Sequence, residues 1–268
     1  MASARKYRAL VTGASRGIGK AIVRALDGRC DRLFLLGRDE AALARLGAEL
    51  RATEVVILAG DVADPAYLEQ VRQVVHGRGG LNLLVNNAGV NEFHSYDSQS
   101  AAAIERMVSV NLLAPMLLTR ALLPVMAKEP AAQVVHVGST FGYIGYPGYA
   151  AYCATKFGLR GFSEALGREL SGTPVRSRLF SPRATRTDIN APVVQELNRQ
   201  LGTAEDDPAE VARQFVAFLE RDDTEFRVGI PEKIFSLLNQ VLPGVVSQGL
   251  RKQLPRIRQA LSSIESTT

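Results

Sequence analysis

Tryptophan is absent, and aromatic residues make up only 6% of the 268 residues. So sparse a set offers no stacking platform for single-stranded nucleic acid, and no groove-reading motif accompanies it. The two cysteines, Cys30 and Cys153, cannot form a disulfide framework and lack metal-ligand spacing, so free thiols and no metal site are expected. No run reaches the roughly 18 apolar residues needed to cross a membrane. The opening stretch MASARKYRALVTGA holds no apolar core of signal-peptide length. A soluble, cytoplasmic protein is the expectation. The formal net charge is small, +5, with a pI near 9.4. Such a balance attracts anions (cofactor phosphates, acyl-carrier surfaces, anionic lipid) or simply leaves spare Lys and Arg in solvent.

What is present is a rhythm. Hydrophobic residues form 46% of the chain, enough for a sizeable core at this length. Strands are predicted at Ala9-Leu10-Val11, Leu33 to Leu36, Val55-Val56-Ile57-Leu58, Leu81–Val85, Val134 to Val137 and Val175–Phe180, with a last one near Phe226–Gly229. Helices are predicted at Glu40–Leu50 behind an Asp39 cap, at Ala66–His76, at Ala101–Met126 with interruptions at Asn111 and Pro115, and at Pro208–Glu220. That alternation argues for an α/β fold, a doubly wound parallel sheet of about seven strands flanked by helices. Residues 1–230 form this unit and 231–268 an amphipathic helical extension. Polar Gln195 to Asp207 reads as a mobile surface segment within a lid of about 188–207.

The first strand runs into Gly13, Ser15, Arg16, Gly17, Ile18 and Gly19, followed by an amphipathic helix. A strand, a glycine loop and a helix in that order form a dinucleotide-phosphate site, with the helix N-terminus facing the pyrophosphate. At the end of the second strand, where an acid would accept bonds from the adenosine ribose, stand Leu36 and Gly37, with Arg38 next. Arg38 and Arg16 suit a 2′-phosphate and favour NADPH over NADH. Asp61 and Val62 end the third strand, where Asp61 can meet the adenine amino group. Small residues in Asn86-Asn87-Ala88-Gly89 let the backbone lie close to a cofactor.

The run Val134 to Gly161 carries the chemistry. Ser139 ends an apolar strand, and Tyr152 and Lys156 stand four apart, on one face of a helix. A phenol beside an ammonium is a proton donor whose ionised form gains from the positive charge. Asn111 is an unusual amide in an apolar helix; by itself it reads as a satisfied buried side chain.

In their order, Thr12-Gly13-x3-Gly17-Ile18-Gly19, Asp61, Asn86-Asn87-Ala88-Gly89, Asn111, Ser139 and Tyr152-x3-Lys156 resemble the short-chain dehydrogenase/reductase family over residues 7 to about 230. The resemblance implies a Rossmann domain and an NADP(H)-dependent oxidoreductase acting on a carbonyl or secondary alcohol. It implies Tyr152 as acid/base, Ser139 bonding the substrate carbonyl, and Lys156 binding the nicotinamide ribose and lowering the tyrosine pKa. Asn111 resembles the residue that holds the water of a proton relay, and Thr187 the threonine that touches the carboxamide. Homodimers or homotetramers are common in the family. One departure stands out: the family's Pro-Gly is here Pro182-Arg183. Two readings of Arg183 stay open, an outward-facing side chain or a cationic contact to cofactor phosphate or an acidic substrate tail.

Beyond Ile230, one apolar cluster of Ile234, Phe235, Leu237, Leu238, Val241 and Leu242 ends at Pro243-Gly244. Leu250, Leu254, Ile257, Leu261 and Ile264 then recur at helical steps among Arg251, Lys252, Arg256 and Arg258, with Pro255 interrupting or restarting that helix. A basic amphipathic helix can lie on an anionic membrane; packing on the domain or on a subunit partner is the favoured reading. Apolar bulk near the site points to a lipophilic substrate, an acyl chain or a polycyclic ketone. A catalytically silent NADPH-binding regulator or scaffold is the alternative, against which the intact Asn111, Ser139, Tyr152 and Lys156 argue.

Overall fold

Seven parallel strands build one sheet in the order β3-β2-β1-β4-β5-β6-β7. They are β1 (Tyr7–Thr12), β2 (Cys30–Gly37), β3 (Glu54–Ala59), β4 (Leu83–Asn86), β5 (Ala132–Val137), β6 (Val175–Ser181) and β7 (Glu225–Arg227). The computed structural model describes residues 7–51, 54–187 and 189–265. Strands β1, β4 and β5 are nearly continuous apolar runs because helices cover both faces of the sheet. On one face α1 (Gly17–Leu26), α2 (Glu40–Glu49) and α8 (Pro208–Leu219) pack around Val11, Ile22, Leu35 and Phe215. On the other, α3 (Pro65–Gly77) and α5 (Ala114–Met126) enclose Leu10, Phe34, Leu84 and Leu118. Asp39 caps α2 as expected, its Oδ1 accepting from the Ala42 amide at 2.8 Å. Strand order reverses between β1 and β4, which opens a crevice at their carboxyl ends.

Several local expectations change. Ala101–Met126 is one continuous helical stretch in three parts: α4 (Ala101–Val108), a π-turn over Ser109–Leu113, and α5. By length and composition alone the stretch could cross a membrane, although Glu105, Arg106 and Arg120 interrupt its apolar run. Leu118, Leu122 and Met126 nevertheless pack into the core under the sheet, which makes it a core helix by its contacts. Residues 195–207 are not a purely polar mobile loop. They begin inside α7 (Pro192–Leu201), which buries Val194 and Leu197. Asp188, at the start of the expected lid, lies outside the described residues. The final strand comes slightly earlier than Phe226–Gly229, since Gly229 at φ +88° leaves extended pairing and caps the next helix.

The C-terminal residues form a hairpin of α9 (Ile230–Val241) and α10 (Pro243–Glu265). Pro255 neither interrupts nor restarts α10. Past Val245, which stays exposed, the apolar positions of α10 turn into the molecule. Ile257 is fully buried with Leu261 and Ile264 beside Val194 and Leu197 of α7, and Val246 packs with Tyr143 and Leu179.

Candidate active site

A cavity of about 920 Å³ opens at the carboxyl ends of the strands. Of the predicted site residues only Asn111 is missing from its wall. Gly13, Ser15, Arg16, Gly17, Ile18 and Gly19 line it at one end, with Arg38, Asp61 and Val62 beyond them. Asn87, Ala88 and Gly89 border its middle, and Ser139, Tyr152, Lys156 and Thr187 line its other end.

The glycine loop is shaped by close approach. Gly13 (φ +65°) and Gly17 (φ +54°) adopt left-handed backbone that favours glycine. A Cβ on Gly19 would stand 2.2 Å from the Gly13 carbonyl oxygen, so only glycine permits that packing. Arg16 makes no side-chain cap on α1, and no acidic residue lies in its first turn. The free amides of that helix start therefore face the cavity and suit a dinucleotide pyrophosphate. Thr12 is a strut that the motif reading passed over. Its Oγ1 accepts from the Asn87 and Ala88 amides, both at 2.9 Å, while Asn87 Nδ2 donates to the Thr12 carbonyl at 2.9 Å. These bonds clamp β1 to the end of β4 across the switch point.

Arg16 and Arg38 are exposed on the cavity rim, and a Cβ on Gly37 would stand 3.4 Å from Ser15 Oγ. Bare backbone and two guanidiniums, with the nearby Asp39 carboxylate taken up by capping α2, fit a ribose 2′-phosphate. Asp61 is more committed than expected. Its Oδ1 accepts from the Ala63 amide at 2.9 Å, and its Oδ2 pairs with Arg106 Nη2 at 2.8 Å. Burial works against its charge, but these two partners hold its carboxyl below the usual range. Arg106 also lines the cavity and was missed; its only signal was a cation, one of two, in a largely apolar helix.

Helix α6 (Ala150–Glu169) presents Tyr152 and Lys156 one turn apart. Ser139, where β5 gives way to a short 3₁₀ turn, accepts from the Phe141 amide at 3.1 Å and stands close enough to the Tyr152 phenol to favour its ionised form. Lys156 Nζ donates to the Val137 carbonyl at 3.0 Å and lies 5.7 Å from the Tyr152 ring centroid. Burial pushes the Lys156 pKa down to about 8. Burial pushes Tyr152 up to about 12, opposed by the Ser139 hydroxyl. The expected lowering of the tyrosine by Lys156 does not show in the free protein, where desolvation of the phenolate dominates.

Asn111 sits in the π-turn behind Gly89. Its Oδ1 accepts from the Val90 amide and its Nδ2 donates to the Val90 carbonyl, both at 2.8 Å, with Thr155 Oγ1 a second acceptor at 3.2 Å. The side chain is thus satisfied internally. Pro115 has no N–H to offer the Asn111 carbonyl four residues back, and π-turns recur at functional sites for this kind of backbone release.

Arg183 does not face outward: it borders the cavity, with its guanidinium held by two acids. Its Nε and Nη2 grip Asp206 at 2.9 and 2.7 Å, and its Nη1 lies 3.6 Å from Glu232. It braces the segment after β6 against the start of α8 and against α9. Arg183→Gly leaves the little-exposed Asp206 carboxylate without its cation, a loss of about 1–3 kcal/mol. The expected result is a lower melting temperature with the NADPH KM unchanged within about threefold, because the fork points at protein carboxylates. A tenfold rise in that KM without loss of stability would restore the cofactor-contact reading.

Among the described residues no cluster of His, Cys, Asp and Glu could hold a metal. Both cysteines are buried.

Comparison with known proteins matches the short chain dehydrogenase family over residues 7–198. A bovine (Bos taurus) 3-oxoacyl-[acyl-carrier-protein] reductase is 34% identical over 218 residues, 78% of this chain and 90% of that protein. A short-chain dehydrogenase from Streptomyces avermitilis superposes with a TM-score of 0.75 at 27% identity, covering 99% of this chain and 98% of its own. Another from Sphingobium yanoikuyae, solved in complex with NADPH, gives 0.75 at 26% identity over 90% of this chain and 95% of its own. With the seven-stranded parallel sheet and the ordered motifs, these matches make the chain a member of the short-chain dehydrogenase/reductase family.

Proposed function

We propose that this protein is an NADP(H)-dependent oxidoreductase that reduces the ketone of a lipophilic, 3-oxoacyl-like substrate, with Tyr152 as the acid. The observation that carries the reading is the convergence of Ser139, Tyr152 and Lys156 on one end of the cavity, with Lys156 Nζ 5.7 Å from the Tyr152 ring centroid. Arg16, Arg38 and the glycine loop hold the phosphates. The bound nicotinamide supplies the hydride. Ser139 orients the substrate carbonyl and Tyr152 donates its proton to the oxygen, which becomes the alcohol. Lys156 holds the nicotinamide ribose, and its nearly neutral pKa lets it pass a proton inward. The Asn111 amide is committed to Val90, so the relay water falls to its main-chain carbonyl in the π-turn. Thr187 borders the carboxamide. Phe141, Ile144, Tyr146, Leu197, Leu238 and Val246 give the substrate end its apolar wall. The bovine 3-oxoacyl reductase supports an acyl chain over a polycyclic ketone.

A turnover panel tests this: NADPH oxidation should be fastest with medium-chain 3-oxoacyl thioesters. NADPH binding without turnover of any ketone or aldehyde would instead favour the silent-regulator alternative.

The depressed lysine pKa sets the pH dependence. Lys156 carries its charge below about pH 8 and loses it above. Tyr152 stays protonated throughout that range. Ketone reduction should be level in acid-to-neutral buffer and fall as pH rises through about 8. In Lys156→Arg, slower overall, that fall should vanish because a guanidinium stays charged. A wild-type profile level to pH 10 would exclude Lys156 as the relay group.

Val108, Leu113, Met116 and Phe157 leave an exposed apolar face where α4, the π-turn, α5 and α6 meet. This face is the homodimer or homotetramer contact. A monomeric mass in solution for the wild type would remove it. The cytoplasm is the compartment this reading assigns.

A further inference from the structure

Helix α9 is built inside out. At about 100° per residue, Ile230, Ile234, Leu237 and Val241 fall within roughly 60° of one another, and Glu232, Ser236 and Asn239 within roughly 60° on the opposite side. A surface helix ordinarily turns its apolar stripe to the core. Here the polar side faces the domain. Glu232 lies 3.6 Å from Arg183, Ser236 Oγ accepts from Arg227 Nη1 at 2.6 Å, and Asn239 Nδ2 donates to the Tyr143 carbonyl at 2.9 Å. The four apolar residues point outward, each more than half exposed, and Leu242 and Val245 prolong the patch at the hairpin turn. Patches of this kind mark an interaction surface.

We infer that the outward stripe of α9 docks this protein on an anionic bilayer surface, with the cavity mouth held at the lipid interface. Three observations select that occupant. The hairpin is basic: exposed Lys233, Arg251, Lys252, Arg256 and Arg258 stand against only Glu232 and Glu265, and Glu232 is turned inward. Exposed cations on the same helical hairpin as an apolar stripe match anionic headgroups over acyl chains. The stripe is narrow. A 12-residue helix is roughly 18 Å long and 10 Å across, so the stripe projects to a strip of only about 180 Å², the shape of a single helix lying in a bilayer interface. A symmetric pairing of two copies would set the same cations against each other. Finally, the flank of α9 next to the stripe carries Phe235 and Leu238, which line the cavity together with Val245, Val246 and Leu250. A lipid-dissolved ketone therefore enters beside the stripe and reaches Tyr152 along an apolar wall. That delivery rests on the reductase reading; the docking does not. Membrane contact belongs to α9, whereas the more basic and more regular α10 spends its apolar side on α7.

The test is co-sedimentation with phosphatidylcholine vesicles, with and without phosphatidylglycerol, using the full chain and the Ile234→Glu/Leu237→Glu variant. Neither residue lines the cavity, so the variant should bind NADPH as the wild type does, which also reports that it is folded. The wild type should pellet with the anionic vesicles and about tenfold less with neutral ones or at high salt, and the variant should lose at least about tenfold of that binding. Three results would overturn the docking: wild type left in the supernatant, equal pelleting of the variant, or a solution mass that halves from wild type to variant, showing that a second copy covers the stripe. Vesicle binding without ketone-dependent NADPH oxidation would count against the reductase reading alone.

Discussion

Tyr152→Phe should bind NADPH with a dissociation constant within about threefold of the wild type and lose about 10²–10⁴-fold in kcat, the usual contribution of a positioned acid. The substitution removes one oxygen, whose neighbour Ser139 keeps the Phe141 amide. The ring stays edge-on to Phe141 at 6.3 Å between centroids, so packing and cofactor affinity should hold. Tyr146 provides the control. It stacks on Phe141 at 5.0 Å and lines the same cavity, yet it stands outside the Ser139–Tyr152–Lys156 group. Tyr146→Phe should keep kcat within a few-fold. Stopped-flow NADPH oxidation reads both variants. Near-normal turnover in Tyr152→Phe would remove the acid from the mechanism.

Gly19→Ala should weaken NADPH binding by about 100-fold or more, on the order of 2.7 kcal/mol. The reason is local. The added methyl group would stand 2.2 Å from the Gly13 carbonyl oxygen and 2.5 Å from Asn87 Nδ2, and one of those atoms is backbone. Relief requires shifting the Gly13 turn or turning away the Asn87 amide that clamps β1 to β4. Either movement displaces the amides at the start of α1. Gly77→Ala, at the end of α3, meets nothing within 4 Å and should be neutral or stabilising by up to about 1 kcal/mol. Thermal melts with and without NADPH separate the two. The cofactor-induced rise in melting temperature should vanish in Gly19→Ala and persist in Gly77→Ala. An undiminished rise in Gly19→Ala would show that the loop does not hold the phosphates.

Much of the site was legible because its residues lie in short segments with strong local rules. Glycines at 13, 17 and 19 mark close approach, Asp39 marks a helix start, and Tyr152 with Lys156 marks one helical face. The features that escaped are made by distant partners. Arg106 meets Asp61 across 45 positions and Arg183 meets Asp206 across 23; no periodicity reports such pairings. Helix α7 was hidden because Glu196, Asn198, Arg199 and Gln200 mask two buried apolar positions, Val194 and Leu197. The orientation of α9 escaped for the opposite reason. Its apolar stripe was visible, but an apolar stripe is ordinarily the buried one. The direction of the Tyr152 shift depends on how dry the cavity wall is, which spacing along a helix does not reveal.

Counting donors at Lys156 shows how it would act on its neighbour once a cofactor is bound. An ammonium has three N–H groups, and one is spent on the Val137 carbonyl. Two remain, as many as the hydroxyls of a ribose diol. A lysine committed in this way has no proton left to share directly with the Tyr152 oxygen. Its effect on the phenol is therefore a field acting through space, carried by position and charge alone.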